Sequence, residues 1–184
     1  MKSPNELDLM RQAGRVVANT KTRLLESVAP GVTTRELDRI AEEEIKKQGA
    51  LPSFKGYAAG GPIPFPATIC VSLNHEIVHG IPSVKRVLKT GDIISVDVGA
   101  VVGGFHADSA FTVSIGNVDE RVRKLITDTS ESLKCGIEKA VPEGRIGDIS
   151  AAVQRYAEDR GYGVVRQYVG HGIGRALHED PQIP

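Results

Sequence analysis

Two aspartates, Asp97 and Asp108, lie on either side of Gly103–Gly104 in a stretch dominated by valine, isoleucine and phenylalanine. A glycine pair suits a two-residue hairpin turn, in which both turn residues need positive φ. With the turn at this pair, Gly99 lies opposite Asp108, and both carboxylates share one face of the sheet. They are then about 7–8 Å apart along a diagonal between the strands. We interpret the pair as a metal site, because two divalent ions about 3.5–4 Å apart fit such a gap.

Three histidines have surroundings that suit binding or catalysis. His171 lies in the segment GHGIG (residues 170–174), and His178 follows shortly after it. Glycine allows close backbone approach, which is useful where a ligand must be aimed and a substrate admitted. A cation held by Asp97, Asp108 and His171 would have oxygen donors and one imidazole, which suits Mn, Fe, Co or Zn better than Ca. His79 precedes Gly-Ile-Pro at the end of a predicted strand, and taken alone it suits a surface role better than a catalytic one.

Residues 75–79 spell HEIVH, which matches the HExxH pattern of helical zinc peptidases. The pattern needs a helix, and the Gly80–Pro82 segment that follows leaves no room for a stable one. On a strand, the two histidines would be about 13 Å apart at about 3.3 Å per residue. That separation is too large for one ion, so we interpret the match as a coincidence.

A loop rich in glycine and proline, residues 50–66, carries Phe54, Tyr57 and Phe65 and leads to Cys70. Two interpretations are equally open: the aromatic side chains anchor the loop, or they line an apolar specificity pocket. Cys70 could line that pocket, since a small thiol packs well against a thioether. Nothing in the sequence places a base beside Cys70 to make it a nucleophile.

The bulk composition is that of an ordinary globular protein, and the length of 184 residues suggests one domain or two small ones. A formal net charge of zero argues against nucleic acid or an anionic membrane as a partner. No apolar run approaches the roughly 20 residues of a membrane span, and the N-terminus lacks a signal-peptide pattern. Two isolated cysteines favour the cytoplasm and no structural disulfide. We expect a cytoplasmic monomer.

The predicted elements repeat weakly at an offset of about 112 residues. Pro30 aligns with Pro142 and Gly49 with Gly161, so that each copy is a helix, a turn, a second helix and a strand. The carboxylate counterparts in the second copy would fall near positions 209 and 220, roughly, after Pro184. We therefore expect an incomplete second half. The predicted helices cover 5–28, 34–48, 119–141 and 146–160; the predicted strands cover 67–73, the hairpin 92–115 and 162–169, with 75–81 as a further candidate.

Five segments together resemble type I methionine aminopeptidases, which have the pita-bread fold. They are APGV at 29–32, CVSLN at 70–74 leading to HGIP at 79–82, GDI at 91–93 leading to Asp97, FHAD at 105–108, and GHGIGRALHEDP at 170–181. Prolidase-type enzymes share part of this set but usually carry an extra N-terminal domain. The resemblance implies an α+β protein with a pseudo-two-fold repeat and an antiparallel sheet covered by helices. Residues 1–184 would form one such domain, truncated within the C-terminal part of its second half.

The resemblance implies a site with two divalent metal ions (Co, Mn, Fe or Zn). Asp97 would chelate one ion, Asp108 would bridge both, and His171 would bind the other. Two further glutamate ligands of the family would lie beyond Pro184, so we expect weakened metal binding in this chain. A hydroxide shared between the ions would attack the scissile carbonyl.

The resemblance also implies roles around the metals. His178 would stabilise the oxyanion and His79 would hydrogen-bond the scissile amide, both in contact with substrate. Tyr57, Phe65 and Cys70 would form the methionine pocket. The substrate would be the N-terminus of a nascent chain that starts with methionine, and ribosome association is left open. The alternative is a non-catalytic pita-bread module, or inactive fragment, that binds peptide N-termini or a partner protein.

Overall fold

A computed structural model describes residues 1–58 and 61–184. These residues form two compact units, Met1–Val118 with Gly174–Leu177, and Asp119–Ile173 with His178–Pro184. Across the described residues, no helix combines the length and the apolarity needed to cross a membrane. The interpretation of residues 1–184 as a single domain stays a prediction.

Two helices begin the first unit, as the sequence predicts. Helix α1 (Pro4–Ser27) starts with a capping box, in which Ser3 and Glu6 exchange side-chain-to-backbone hydrogen bonds. Helix α2 (Thr34–Lys47) starts at Thr33, whose hydroxyl accepts a hydrogen bond from the Glu36 amide at 3.1 Å. These caps satisfy backbone amides that have no partner within their helices.

The sheet of the first unit is antiparallel and is centred on β3 (Ile93–Val102). Strand β3 pairs with β1 (Leu51–Pro52), β2 (Ile69–Leu73) and β4 (Phe105–Ser114). The turn between β3 and β4 is the predicted glycine pair, with φ of 57° at Gly103 and 79° at Gly104. Both angles lie in the left-handed region, which glycine enters at little cost. The predicted hairpin is therefore confirmed.

The two faces of β3 differ in character. Ile94, Val96, Val98 and Ala100 are fully buried and belong to the core that includes the apolar faces of α1 and α2. Removing such side chains from water is the main stabilising term in folding. The alternate residues of β3, which include Ser95 and Asp97, point to the other face. The helices thus pack on one face of β3, and Asp97 lies on the opposite face.

The second unit contains helices α3 (Glu120–Ile137) and α4 (Ile146–Glu158) and strands β5 (Gly170–Gly172) and β6 (Glu179–Ile183). The two helices fall where the sequence predicts them, at the offset of the internal repeat. They approach closely at Gly136, where a Cβ would lie 2.8 Å from Cγ2 of Val153.

A polar cluster in this unit is centred on Asp128, which is largely buried on α3. The Tyr162 hydroxyl donates a hydrogen bond to Asp128 Oδ2 at 2.8 Å, and the Lys124 ammonium pairs with the same carboxylate. Arg160 Nε lies 3.7 Å from the other oxygen. The hydrogen bonds from Lys124 and Tyr162 hold the pKa of Asp128 below its usual value.

Two predicted strands are wrong. Residues 162–169 are irregular, and the strand of this region, β5, begins only at Gly170. Residues 75–81 form a turn and irregular backbone. The Glu76 carboxylate accepts a hydrogen bond from the Leu73 amide at 2.8 Å and pairs with Arg86. Local side-chain bonds of this kind replace a strand ladder.

Candidate metal centre

The two aspartates of the central hairpin share one face of the sheet. Asp97 lies opposite Ala110, and Gly99 lies opposite Asp108, as the sequence predicts. Because side chains alternate between faces, the two carboxylates are diagonal neighbours on adjacent strands. Both are half-buried. The register confirms the predicted pair, and the role of the two aspartates as metal ligands stays a prediction.

Cys70 lies opposite Asp97 on the other neighbouring strand, β2. Its side chain is buried. Burial, and after it the negative charges of Asp97 and Asp38, raise the pKa of the Cys70 thiol to about 12. The thiol therefore stays neutral at physiological pH. This state suits an apolar wall and excludes a nucleophilic thiolate.

Phe54 packs where Gly99 has no side chain. A Cβ at Gly99 would lie 2.6 Å from Phe54 Cε1 and 2.8 Å from Ser53 Cβ, and Phe54 is buried. Since Gly99 is the direct partner of Asp108, this ring lies next to the carboxylate pair. From the sequence, Phe54 is one of three loop aromatics that either anchor the loop or line a pocket, and its place beside the carboxylate pair is not predicted. A glycine inside a strand, which often marks the close approach of another group, is the signal that could have located it.

The structure brings Tyr57 and Phe65 together across the aromatic loop. The Phe65 amide donates to the Tyr57 carbonyl at 2.8 Å, and the Gly56 amide donates to the Phe65 carbonyl at 2.9 Å. Both aromatic side chains are half-buried. Of the predicted loop, residues 59 and 60 lie outside the described part of the chain. A methionine pocket formed by Tyr57, Phe65 and Cys70 stays a prediction.

His79 is exposed and is held beside strand β2 by the residue that follows it. The Val71 amide donates to the Gly80 carbonyl at 2.8 Å, and the Gly80 amide donates to Ser72 Oγ at 3.3 Å. A Cβ at Gly80 would lie 1.9 Å from the Val71 carbonyl oxygen, so only glycine fits. His79 itself has a φ of 62°. Residues 75–79 are not helical, which confirms that the HExxH match is coincidental.

His106 is a second residue near the carboxylate pair to which the sequence assigns no role. It lies on β4 on the same face as Asp108, because the two are separated by one residue. Its ring Nδ1 lies 3.0 Å from Ser53 Oγ, and its amide donates to the Gly174 carbonyl at 2.7 Å. Strand β4 is thereby joined to the segment that contains Phe54 and to the Gly174–Leu177 segment of the same unit.

In the second unit, the rings of His171 and His178 are neighbours, with centroids 4.3 Å apart and a tilt of 53°. His171 Nδ1 lies 2.9 Å from the Gly172 carbonyl oxygen. A carbonyl oxygen only accepts, so Nδ1 carries the proton, and Nε2 of the neutral ring has the lone pair that a metal needs. A Cβ at Gly172 would lie 2.3 Å from the Asp180 carbonyl oxygen. Close backbone approach therefore explains this glycine.

Each unit contains donors whose chemistry suits a divalent metal ion. Asp97 and Asp108 offer carboxylate oxygens on one face, and His171 offers an imidazole in the appropriate tautomer. Within 1–58 and 61–184, no three histidine, cysteine, aspartate or glutamate side chains form a group that could hold a metal ion. The pairing of β3 with β4 by itself places the two carboxylates next to each other.

The model of metallopeptidase family M24 matches residues 8–184. The chain belongs to this family. Over its whole length it is 54% identical to methionine aminopeptidase 1 of Bacillus subtilis and covers 71% of that relative. It is also 54% identical to methionine aminopeptidase of Clostridium acetobutylicum, of which it covers 72%. Membership of M24 implies divalent metal ions at the site.

Solved structures of related enzymes have the same fold as this M24 chain. A methionine aminopeptidase from Thermotoga maritima superimposes with a TM-score of 0.93 at 44% identity, with all of this chain and 72% of that chain covered. The enzyme from Rickettsia prowazekii gives 0.93 at 37% identity and 71% coverage of that chain. A prolidase from Pyrococcus furiosus, at 23% identity and a TM-score of 0.85, shares the fold alone. The predicted α+β pita-bread fold and the predicted resemblance are confirmed.

Proposed function

We propose that this M24 chain is a methionine aminopeptidase that removes the initiator methionine from nascent proteins. The observation that carries the proposal is the Asp97–Asp108 pair, in the predicted register, in a chain 54% identical to enzymes of that name. The alternative, a non-catalytic module that binds N-termini, is not favoured, since the relatives are named as enzymes.

We propose Asp97, Asp108 and His171 as the ligands of two divalent ions, chosen among Co, Mn, Fe and Zn. When bound, such ions lower the pKa of water and polarise the scissile carbonyl. Carboxylate oxygens and one imidazole suit this group of metals. The Nδ1–H to carbonyl hydrogen bond of His171 supports its assignment, because it fixes the tautomer.

We propose His79 and His178 as the groups that contact the reacting peptide. His178 would donate a hydrogen bond to the developing oxyanion, and His79 would hydrogen-bond the scissile amide. Removing one donor of this kind costs about 2.7–4 kcal/mol of transition-state stabilisation in well-studied hydrolases. The fixed backbone at Gly80 supports a positioned role for His79.

The substrate side chain would lie against Tyr57, Phe65 and Cys70, with Phe54 as an additional wall. A neutral thiol is compatible with a thioether, whereas a thiolate would place an unpaired charge in an apolar pocket. We propose a cytoplasmic monomer that acts on the N-termini of new chains, with the ribosome as a transient partner.

The direct test is methionine release from a Met-Ala-Ser peptide by the protein loaded with Mn or Co. We expect release by the wild type and a loss of at least about 100-fold in Asp108→Asn, because one metal ligand is removed. Asp8→Asn is the matched control, since Asp8 is exposed and forms a surface ion pair with Arg11. Absence of release with all four metals, together with metal-independent binding of the peptide, would favour the non-catalytic alternative.

A further inference from the structure

Lys21 extends from helix α1 to the strand that carries Asp108. Its Nζ donates hydrogen bonds to Ser109 Oγ at 2.7 Å and to the Ala110 carbonyl at 3.1 Å. These two acceptors belong to the residues that directly follow Asp108. The ammonium is therefore anchored to the segment of β4 that carries the carboxylate.

The same ammonium is bonded to the residue that lies opposite Asp97 on the neighbouring strand. Ala110 is the direct partner of Asp97, and paired strands are about 4.7–4.9 Å apart. Lys21 and Asp108 also line one cleft between α1 and β4, with a volume of about 320 Å³ and largely apolar walls. Two hydrogen bonds therefore fix one positive charge on the part of β4 that carries Asp108 and pairs with Asp97.

The surroundings of Lys21 strengthen its electrostatic effect. The side chain is half-buried, and its Nζ lies 5.9 Å from the centre of the Phe111 ring. Burial lowers the pKa of Lys21, and the negative charge of Asp97 raises it. A charge that is partly removed from water acts on its neighbours more strongly than one in bulk solvent.

We propose that Lys21 is a positioning residue whose fixed positive charge offsets the repulsion between Asp97 and Asp108 in the metal-free protein and weakens their affinity for divalent cations. The second part, which concerns metal affinity, rests on the proposed function. Lys21 could instead stabilise β4 only through its hydrogen bonds. Its contribution to the stability of the folded protein would then be independent of the charge on Asp97.

A double-mutant cycle on thermal unfolding separates these roles in EDTA at low ionic strength. We expect Lys21→Met to lower Tm by about 2–4 °C in the native background. In the Asp97→Asn background, position 97 carries no charge that repels Asp108. There we expect Lys21→Met to lower Tm by less than half as much. Lys21→Arg keeps the charge and stays within about 1 °C of the wild type. An equal drop in both backgrounds, or no drop in either, overturns the proposal.

Calorimetric titration with Mn²⁺ tests the second part. We expect Lys21→Met to bind about threefold to tenfold more tightly than the wild type at low salt, with a smaller difference at high salt. Ser109→Ala is the matched control, because it removes one hydrogen bond of Lys21 and keeps the lysine charge. We expect its Mn²⁺ affinity to stay within about twofold of the wild type. Weaker or unchanged binding by Lys21→Met overturns this part. Absence of binding by the wild type would contradict the proposed metal site, and the cycle on metal-free protein would still decide the role of Lys21.

Discussion

Gly99 and Asp108 are direct partners across the β3–β4 pairing, and the space beside Gly99 is filled by the Phe54 ring. The absence of a side chain at position 99 thus lets an aromatic wall approach the carboxylate pair. A glycine within a strand normally weakens a sheet, and the close approach of the Phe54 ring explains why glycine is needed at position 99. The relationship links the apolar loop to the candidate metal centre within one unit.

Gly99→Ala should destabilise the protein by about 1–3 kcal/mol, because the new Cβ overlaps the buried Phe54 ring. Urea unfolding measures the loss. Gly147→Ala is the matched control: nothing lies within 4 Å of a Cβ there, so the change should be neutral or stabilising by up to about 1 kcal/mol. Phe54→Leu in the Gly99→Ala background should recover part of the loss. A Gly99→Ala variant as stable as the wild type would contradict the packing described above.

Cys70 should resist alkylation in the native protein. Its pKa of about 12 leaves a thiolate fraction of about one in ten thousand at pH 8, and the side chain is buried. Iodoacetamide should therefore modify the partly exposed Cys135 first and Cys70 only after unfolding. Peptide mapping by mass spectrometry over time distinguishes the two sites. Equal labelling rates in the folded state would contradict both the burial and the raised pKa.

The Asp128 cluster should make stability depend on pH. Hydrogen bonds from Lys124 and then Tyr162 lower the pKa of Asp128 below its ordinary value of 3.8. A carboxyl whose pKa is lower in the folded state stabilises the protein above its unfolded pKa, and this contribution is lost as the pH falls through the folded value. Asp128→Asn should therefore lower the urea midpoint at pH 7, and the difference from wild type should shrink progressively below about pH 4.

Asp8→Asn is the control for this series, because Asp8 is highly exposed and its pair with Arg11 is worth little. Tyr162→Phe should reproduce part of the Asp128→Asn effect, since it removes the 2.8 Å hydrogen bond and keeps the ring. If the difference in urea midpoint between Asp128→Asn and wild type stayed constant from pH 7 to pH 3, the lowered pKa of Asp128 would not be its cause.

Gly80→Ala should impair catalysis more than stability if His79 contacts the substrate. The new Cβ would lie 1.9 Å from the Val71 carbonyl oxygen, so the backbone that carries His79 must move. A displacement of about 1 Å in a catalytic group can reduce the rate about 100-fold. Steady-state kinetics on a methionine peptide, with Tm measured on the same samples, checks this. Gly163→Ala, where a Cβ meets nothing within 4 Å, is the control; native kinetics in Gly80→Ala would contradict a positioned His79.

Local patterns in the sequence predicted the hairpin and its chemistry. The Gly103–Gly104 pair located the turn, and the two-residue period of a strand then placed Asp97 and Asp108 on one face. The caps at Ser3 and Thr33 likewise follow from residues within one helical turn. Such features are predictable because their energies depend on neighbours along the chain. The two strands predicted at 75–81 and 162–169 were wrong because a strand also needs a partner, which composition does not supply.

Only the tertiary structure brought Phe54 and His106 to the face of the carboxylate pair, and Lys21 to the strand that carries Asp108. Phe54 reaches Gly99 through the β1–β3 side of the sheet, His106 is joined to Ser53 and Gly174, and Lys21 approaches from a helix far away in sequence. Each contact joins residues separated by many positions, and its existence depends on how the hydrophobic core packs the helices against the sheet. The sequence by itself determined which residues could do the chemistry, since spacing and residue type are local. Packing decided which side chains surround them, because burial and close approach are properties of the folded chain as a whole.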